Sequence, residues 1–369
     1  MILAHKIRLN PTTEQAQHFR QCLGIARFTW NWALAEWDRQ YVAGEKPSVQ
    51  KLKLKLNAIK GEQFPWMYDV SKSVAEYALM NLGKAFDNFF RGVKQGDAVG
   101  YPKFKSKHNP VQSFTVANDR IKVDGHSLSV QKCPGSINMA ESLRFTGKIN
   151  AVTISRTADH WYAAISVDVG DVEVEPRLEG NRPPVGVDLG VKDLAVTSDG
   201  EVFENQKALR TNLDELAKLQ RHMARKVKGS SRWQKLRLQG ARLQERIANL
   251  RKDASHKLTT YLCQKYGHIA IEDLNVAGML KNRKLARAIA DCGWAEIRRQ
   301  LEYKGKLYGA IIDTIDRWFP SSKTHSKCGY LNKDLTLADR VWLCPVCDEL
   351  VLRDENAAQN ILAYSLTRA

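Results

Sequence analysis

Apolar and polar residues alternate with a period of two in the middle of the chain. Within Val185–Val196 (VGVDLGVKDLAV), apolar residues alternate with small or polar ones, and a second apolar run closes the segment. Alternation of this kind in β-branched residues predicts strands. The turn at 198–200 leads to a third strand that begins at Val202. We therefore predict a β-meander with one acidic residue, Asp188, in the middle of its first strand.

Two further acidic sites follow later in the chain. The segment His268–Leu274 (HIAIEDL) predicts a strand that ends in Glu272 and Asp273. Asp354 precedes the apolar helical pattern of Ala357–Leu362, which places it at a helix start. Three carboxylates can hold two divalent ions that activate a water and stabilise a leaving oxygen, and hard oxygen ligands favour Mg²⁺ or Mn²⁺. Alternatively, Asp273 and Asp354 are helix caps and Glu272 is a solvated strand end.

The first half of the chain combines helical and strand patterns. Met1–Leu9 alternates like a strand, and residues 11–95 carry helical spacing, with helices expected near Ser48–Ile59 and Ser71–Val93. Short strands separated by turns are predicted at 113–117, 120–123, 127–131, 143–145, 149–156 and 160–168. This spacing favours a small β-barrel that the Met1–Leu9 strand completes. An acidic, proline-bearing linker is predicted at 172–184.

The charge of the chain indicates a polyanionic partner. The 369 residues carry a net charge of +17, with a pI of about 9.5. Nucleic acid is the first expectation and an anionic membrane surface is its rival. No apolar run reaches 18 residues and no signal sequence begins the chain. We therefore expect a soluble cytoplasmic protein with no membrane partner.

One segment concentrates this charge. Residues 205–257 predict two long helices joined around Gly229, and they contain 15 basic against 4 acidic residues, a net charge of +11. We expect phosphate contacts near the turn between the helices, and the alternative is a solvated helical hairpin. The basic residues expected to contact nucleic acid are Arg225, Lys226, Lys228 and Arg232.

Three of the seven cysteines cluster with a histidine. Cys344 and Cys347 form a CxxC pair, and His325 precedes Cys328 by three residues. A His-x₂-Cys…Cys-x₂-Cys set can hold tetrahedral Zn²⁺ through one imidazole and three thiolates. The alternative is a ribbon held by packing alone, in which His325 is free.

Several segments of the chain resemble one family. Five segments resemble segments of TnpB proteins in their order and in their residues, namely GVDLGVKDLAV, IEDLNVAGM, FPSSKTHSKCGY, CPVC and RDENAAQNI. TnpB proteins are RNA-guided nucleases of bacterial insertion sequences and relatives of type V CRISPR effectors. FRGVKQG, VGYPKFKSK and GKINAVTISR in the first half are similar as well. The resemblance implies that Asp188, Glu272 and Asp354 are the three metal-binding carboxylates of a RuvC-type centre.

The resemblance also implies an architecture. We expect a multidomain α+β protein, in which a RuvC or ribonuclease H-like α/β nuclease core carries an inserted zinc-ribbon-like module, and a small β-barrel (the wedge) carries a helical recognition insertion. The boundaries that we expect are 1–10 and 101–175 for the barrel, 11–100 for the recognition domain, 176–319 and 352–369 for the nuclease, and 320–351 for the ribbon.

The ribbon departs from the family pattern at several positions. His325 stands where the family has Cys, and Asp348 stands at a knuckle position that is usually Gly. Val351-Leu352 replaces the usual His-Asp before Arg353. These departures leave both zinc binding and a packing-only ribbon open.

The resemblance implies an RNA-guided endonuclease that cuts double-stranded DNA next to a short flanking motif. Its partners would be a guide RNA from the transposon end and the target DNA, with one chain binding one RNA. The family suggests that Lys72, Ser73, Glu76, Thr115 and Asn118 read the flanking DNA. Three alternatives stay open: a guided DNA binder that represses without cleavage, a strand-transfer transposase, and a zinc-ribbon adaptor, which would leave the carboxylates unexplained.

Overall fold

The chain forms two compact units. The computed structural model describes residues 1–109, 111–170, 182–336 and 338–368, and the units span 1–171 and 172–369. Each unit has its own hydrophobic core. The predicted linker 172–184 lies outside the described residues except for its last three positions.

The first unit begins with one strand, continues with three helices and returns through six strands. A capping box formed by Thr12 and Gln15 starts the first helix. The elements are β1 (Ile2–Asn10), α1 (Thr13–Val42), α2 (Val49–Gln63), α3 (Ser73–Gln95), β2 (Val111–Ala117), β3 (Ile121–Asp124), β4 (Ser127–Val130), β5 (Ser136–Met139), β6 (Lys148–Thr157) and β7 (His160–Asp168).

These strands form one antiparallel sheet in the order β2-β6-β7-β1-β5-β4-β3. The first strand, β1, pairs with both β7 and β5, so it completes the sheet as predicted. In the described residues no backbone ladder joins the two end strands, β2 and β3, and a short 3₁₀ turn connects them in sequence. The predicted barrel is therefore a seven-stranded sheet whose ladder stays open at that position.

Two details of the strand prediction are wrong. Ser136–Met139 is a strand, although the sequence analysis assigned none there. Residues 143–145 form no strand, and the side chains of Leu143 and Phe145 pack against the core instead. Alternating apolar residues can bury their side chains whether the segment pairs as a strand or runs as an unpaired loop. The pattern alone therefore cannot identify which segment forms a strand.

The second unit contains a mixed sheet, a helical hairpin and a small ribbon. The elements are β8 (Pro184–Asp188), β9 (Asp193–Thr197), β10 (Val202–Glu204), α4 (Ala208–Thr211), α5 (Leu213–Ala224), α6 (Ser231–Lys265), β11 (His268–Glu272), α7 (Val276–Met279), α8 (Ala286–Cys292), α9 (Trp294–Tyr308), β12 (Ile311–Ile315), β13 (Val341–Leu343), β14 (Leu350–Leu352) and α10 (Arg353–Leu366).

The sheet of this unit has the order β10-β9-β8-β11-β12. Strands β8, β11 and β12 are parallel. Strand β9 is antiparallel to β8, and β10 is antiparallel to β9, so β10 runs in the same direction as β8. Helices α6 and α9 pack on one face through residues such as Leu262 and Ile297, and α10 packs on the other, where Ile361 meets Ala270. The predicted α/β nuclease-like core with an added ribbon is confirmed.

The basic hairpin consists of α5 and α6, with Ser230 capping α6. Its two helices pack through a small apolar cluster around Leu243 and Ile247. Helix α6 continues beyond the predicted end at 257 to Lys265, and Leu258 and Leu262 join the core of the sheet. The basic hairpin is therefore built on the same helix that covers one face of the sheet.

Among the described residues, no helix is both long and apolar enough to cross a membrane.

Candidate active site and metal ribbon

Asp188 and Glu272 lie at the carboxyl ends of two neighbouring parallel strands. Strand β8 ends at Asp188, so the prediction that this residue lies in the middle of its strand is wrong. Strand β9 pairs with β8 only at Val187 and Asp188, beyond which the chain turns. The register aligns Val187 with Ile271, and the next residue on each strand is the carboxylate. Ligand sites of open α/β sheets form at this edge.

Gly186 explains how a third carboxylate reaches this edge. A Cβ atom at Gly186 would lie 2.0 Å from the carbonyl oxygen of Ala358 and 2.7 Å from the amide nitrogen of Leu362. No pattern in the sequence around Gly186 indicates that α10 is the element that approaches so closely. Asp354 lies four residues before Ala358 and thus on the same face of α10. The first turn of α10 therefore carries Asp354 to the end of β8.

The far end of α10 is held by hydrogen bonds to the sheet. Ser365 Oγ donates to Asp313 Oδ2 at 2.6 Å and lies 2.8 Å from His268 Nε2. Both partners belong to the parallel strands β11 and β12. Together with the contact at Gly186, these bonds fix the direction of α10 and hence the position of its first turn.

The three carboxylates influence one another electrostatically. Burial and, after it, the negative charges of Glu272 and Asp354 raise the pKa of Asp188 to about 7, against the opposing charges of Arg353 and Arg340. Burial also raises the pKa of Glu272, which a hydrogen bond from Ser321 opposes. A cation would relieve this repulsion, and carboxylate oxygens are the ligands that Mg²⁺ and Mn²⁺ prefer. The residues present therefore fit a divalent metal centre.

Two partners of these carboxylates were missed by the sequence analysis. Arg340 donates to both oxygens of Asp354, at 3.0 and 3.1 Å, and Ser321 donates to Glu272 Oε1. Ser321 follows Pro320 just after β12, where a hydroxyl near a strand end is a weak signal. Arg340 carried no signal in the sequence, because it reaches Asp354 only through the fold of the ribbon.

The ribbon brings together all four predicted zinc ligands. Their donor atoms lie within 4.8 Å of one another, and this is the one His, Cys, Asp or Glu cluster of that kind among the described residues. His325 Nδ1 lies 3.0 Å from Cys328 Sγ and 3.4 Å from Cys347 Sγ, and Cys328 Sγ lies 3.5 Å from Cys344 Sγ. A tetrahedral ion with Zn–S bonds of about 2.3 Å needs sulfurs roughly 3.8 Å apart. The cluster fits zinc.

The surroundings of the ribbon support this geometry. Burial opposes ionisation of Cys344, but the backbone N–H groups of Val346 and Cys347 lower the pKa of its thiol. Glu349 Oε2 lies 3.9 Å from His325 Nε2, on the side of the ring away from the cysteines. This distance is longer than a hydrogen bond, so Glu349 places a negative charge beside the imidazole without fixing the orientation of the ring.

The departures from the family pattern have structural consequences here. Asp348 adopts a left-handed backbone conformation with φ of +51°, the conformation for which glycine is the usual residue. Val351 packs with Leu335, Trp342 and Cys344 in a small core. The apolar residue that replaces a polar one therefore strengthens the packing of the ribbon.

Two asparagines of α10 hold the base of the ribbon. Asn356 Nδ2 donates to the carbonyl of Thr324 at 2.7 Å, and Asn360 Nδ2 donates to the carbonyls of Ser321 and Thr324 at 2.7 and 2.6 Å. Both asparagines belong to the RDENAAQNI segment, in which the sequence alone indicates no role for them. Through these bonds α10 connects the carboxylate site to the ribbon.

The proposed DNA-reading residues of the first unit differ in accessibility. Lys72 is exposed and Glu76 is paired with Lys53 at 3.1 Å, and both line a cleft of about 440 Å³. Ser73, by contrast, is 1% exposed and its hydroxyl lies 2.9 Å from that of Ser71. Its burial leaves Ser73 no surface for a DNA contact in this structure.

The other nucleic-acid candidates lie at accessible positions. Thr115 is partly buried and its hydroxyl lies 2.9 Å from that of Thr153, whereas Asn118 is exposed at the end of β2. The four basic residues near the turn of the hairpin, Arg225, Lys226, Lys228 and Arg232, are all exposed.

Three family profiles match the chain. The one described as "Probable transposase" (OrfB of the IS605 type) matches residues 165–283, and the one described as "Cas12f1-like, TNB domain" matches 294–361. A profile described as "Helix-turn-helix domain" matches 1–46. In the structure that last range holds β1 and the single helix α1.

Several curated proteins are similar over nearly their whole length. A "Putative RNA-guided DNA endonuclease" of Streptomyces pristinaespiralis is 35% identical, covering 98% of this chain and 89% of the relative. The protein InsQ of Escherichia coli K12, given the same description, is 31% identical, covering 98% and 91%. Two solved structures, of a Cas12f1-sgRNA-target DNA complex and of a CRISPR-Cas12f ternary complex, are 18% identical with TM-scores of 0.38 and 0.40, covering 98% and 95% of this chain and 99% and 82% of theirs.

Proposed function

Because the chain belongs to the TnpB/OrfB family of insertion-sequence proteins, we propose that it is an RNA-guided DNA endonuclease. It would cut double-stranded DNA next to a short flanking motif, at one RuvC-type centre. The observation that carries this proposal is the convergence of Asp188, Glu272 and Asp354 at one sheet edge. All three carboxylates are present, which favours cleavage over guided binding alone.

In this proposal the three carboxylates hold two Mg²⁺ or Mn²⁺ ions. When bound, the ions activate a water and stabilise the leaving oxygen of the phosphodiester. Ser321 holds Glu272 in place by its hydrogen bond. Arg340 faces Asp354 and adds a positive charge at the point where a DNA phosphate would approach. Asp188 must give up its proton to serve as a ligand, so we expect activity to rise with pH towards and above 7.

Guide RNA is the partner that the charge of the hairpin favours. Its net charge of +11 between 205 and 257 would attract a polyanion, and counterion release would make assembly depend strongly on salt. The exposed Arg225, Lys226, Lys228 and Arg232 are the proposed contacts. Base pairing between guide and target would supply the sequence choice. We propose that one chain binds one RNA, derived from the transposon end, in the bacterial cytoplasm.

We propose that the flanking motif is read in the first unit. The cleft beside α3 is lined by five basic side chains and one acidic one, namely Lys53, Lys60, Lys72, Arg120, Lys132 and Glu76. The exposed Asn118 and the partly buried Thr115 are further candidates. Positive charge favours a DNA backbone, and polar side chains such as Glu76 and Asn118 can contact base edges. Ser73 is no longer part of this proposal, because it is buried.

Zinc in the ribbon is the remaining part of the proposal. His325, Cys328, Cys344 and Cys347 would bind one ion in a closed, structural site. The ion would fix the ribbon that presents Arg340 to the carboxylate edge.

The test begins with purification of the protein from its host and sequencing of the RNA that accompanies it. A plasmid with a matching site, preceded by randomised flanking sequence, is then incubated with protein, with or without that RNA, and with Mg²⁺ or EDTA. We expect cutting only with RNA and Mg²⁺, next to a selected flanking motif. A guide with a scrambled target segment is the control.

Two results would overturn the proposal. Cutting or strand joining by the RNA-free protein would favour the transposase. Guide-dependent binding of the matched site without any cleavage, in protein with all three carboxylates intact, would favour the guided DNA binder.

A further inference from the structure

Trp318 has the largest type of side chain in proteins and is nevertheless highly exposed to solvent. It follows β12 and is 84% exposed. Single exposed apolar residues are ordinary on protein surfaces. Exposure alone therefore assigns no role to Trp318, whereas its anchoring and its surroundings distinguish it from other exposed apolar residues.

The turn that carries Trp318 is fixed on both sides. Asp316 Oδ1 accepts a hydrogen bond from the backbone N–H of Trp318 at 2.7 Å. The next residue, Phe319, stacks on Tyr364 of α10, with ring centroids 4.3 Å apart. The indole is thus presented by an anchored turn, so little backbone conformational entropy is left to lose when a ligand contacts it.

A cleft of about 480 Å³ lies beside the indole. Three arginines line it, Arg298, Arg317 and Arg368, together with Asp273 and Asp316, which gives a net charge of +1. Asp273 binds Arg298 at 2.6 Å and also pairs with Arg317, which holds both guanidinium groups in place. Arg368 is exposed, with its guanidinium carbon 5.7 Å from the ring centroid of Tyr364.

The cleft adjoins the carboxylate edge of the same unit. Asp273 directly follows Glu272, and its backbone N–H donates to the carbonyl of Ile315 at the end of β12. Strands β11 and β12 are neighbours in the sheet, so their ends are roughly 4.8 Å apart. The cleft therefore begins one residue beyond Glu272, at the sheet edge that also carries Asp188.

From these observations we infer that the cleft is a subsite for one unpaired nucleotide of the DNA strand that enters the carboxylate site. The base stacks on the indole of Trp318, and the adjoining phosphate contacts Arg368 and the guanidinium groups paired with Asp273. This inference rests on the proposed function. A paired base cannot lie on Trp318, because its faces are covered by its neighbours in the duplex.

The subsite selects for single-stranded substrate next to the metal centre. Base–aromatic stacking contributes about 1–3 kcal/mol per base and tolerates any sequence. Sequence-independent holding suits a nuclease whose sequence choice comes from base pairing elsewhere. The subsite thus binds the strand close to the point of cleavage without adding sequence preference.

Photocrosslinking tests the inference without any need for cleavage. The full chain, with its guide RNA and in EDTA, is irradiated with a single-stranded oligodeoxythymidine that carries 5-iodo-deoxyuridine, and the crosslinked peptide is identified by mass spectrometry. We expect the peptide that contains Trp318. Crosslinks confined to other aromatic residues, with none at Trp318, would overturn the subsite.

Substitutions at Trp318 separate stacking from apolar packing. We expect Trp318→Ala and Trp318→Leu to raise the half-saturating concentration of the oligonucleotide about 5- to 100-fold, whereas Trp318→Phe stays near wild type. Leu343→Ala, an exposed apolar residue of the ribbon, is the control and should change nothing. Equal binding by the Leu and Phe variants would overturn the stacking role, because leucine keeps the apolar area and lacks the ring.

The two proposals fail in different ways. If the oligonucleotide crosslinks to Trp318 and the Ala variant binds it weakly, but no guide-directed cleavage occurs, the subsite stands and the endonuclease does not. If guide-directed cleavage is normal in Trp318→Ala and no crosslink forms, the endonuclease stands and the subsite is refuted.

Discussion

The ribbon and the carboxylate edge both gather side chains of the types that bind metals, but they are assembled differently. In the ribbon, four donor atoms lie within 4.8 Å of one another. At the sheet edge, Asp354 is paired with Arg340 and Glu272 with Ser321. The ribbon is a closed site suited to a permanent ion, whereas the edge is an open site in which ion and substrate must replace protein partners.

The two sites also differ in how widely their residues are spread along the sequence. The ribbon takes its four ligands from 23 consecutive positions, 325–347, and stabilises them with a small core around Trp342 and Val351. The edge takes its carboxylates from β8, β11 and α10, which are joined by sheet pairing, by packing at Gly186 and by the hydrogen bonds of Ser365. We therefore expect the folding of the ribbon to depend on a bound metal, and the positions of the three carboxylates to depend on the surrounding fold.

Removal of one carboxylate should have the largest effect. We expect Asp188→Asn, Glu272→Gln and Asp354→Asn each to lower guided cleavage at least about 10³-fold, because each removes a metal ligand and with it charge stabilisation of the transition state. Binding of guide RNA should be unchanged. The measurement is single-turnover plasmid cleavage together with RNA binding.

The neighbouring Glu355→Gln, in the same turn of α10 as Asp354, is the matched control and should cut normally. Near-normal cutting by any one of the three variants would remove that residue from the centre.

Disruption of the ribbon should lower stability before it affects chemistry. We expect Cys344→Ser to lose a zinc content of about one ion per chain and several kcal/mol of unfolding free energy, since zinc binding contributes to folding. His325→Cys should keep the ion, because a fourth thiolate completes a four-sulfur site. Elemental analysis and thermal unfolding measure both effects.

Cys133→Ser, which alters a cysteine outside the ribbon, should leave zinc content unchanged. Absence of zinc from active wild-type protein would instead favour a ribbon held by packing alone.

Neutralising Asp188 should stabilise the metal-free protein in a pH-dependent way. Its pKa rises from 3.8 to about 7 on folding, so between these values the folded state binds a proton that the unfolded state lacks. Stability therefore falls as pH increases from about 4 to 7. We expect the unfolding free energy of Asp188→Asn to exceed that of the wild type by on the order of 2 kcal/mol at pH 8, and to differ hardly at all near pH 4.

Urea unfolding in EDTA at several pH values measures this difference, and added Mg²⁺ should reduce it by stabilising only the wild type. A gain of equal size at pH 5 and pH 8 would show that the carboxylate is not the source of the effect.

The smallest expected effect concerns the second knuckle of the ribbon. Asp348 has φ of +51°, and Asp348→Gly should relieve that strain and raise the unfolding free energy by about 0.5 kcal/mol. Asp334→Gly, at a ribbon position without positive φ, should instead lower it slightly. Equal changes in both variants would mean that the backbone of Asp348 is not strained.

Much of the candidate site could be predicted from the sequence, because its signals are local. Alternating patterns placed Glu272 at a strand end, helical spacing placed Asp354 at a helix start, and the spacing of His325 and the cysteines identified the ribbon. The resemblance to TnpB proteins joined the carboxylates into one centre, which pattern and spacing alone left open.

The rest depends on contacts between distant segments. Nothing in the local sequence shows that the backbone of α10 lies on Gly186, that Arg340 reaches Asp354, or that Ser73 faces inward. The four-residue strand Ser136–Met139 was missed because two apolar residues are too short a pattern to establish pairing. Residue types were therefore predicted better than their partners.

Metal exchange with a single cleavage readout tests the distinction between the two sites most directly. The protein with its guide RNA is treated briefly with EDTA, and zinc content and cleavage of a matched plasmid are measured before and after Mg²⁺, Mn²⁺ or Zn²⁺ is added. We predict that EDTA abolishes cleavage while zinc remains bound in the ribbon, and that Mg²⁺ or Mn²⁺ alone restores it. Cleavage that persists in EDTA, or that returns only with Zn²⁺, would contradict a separate carboxylate centre for hard divalent ions.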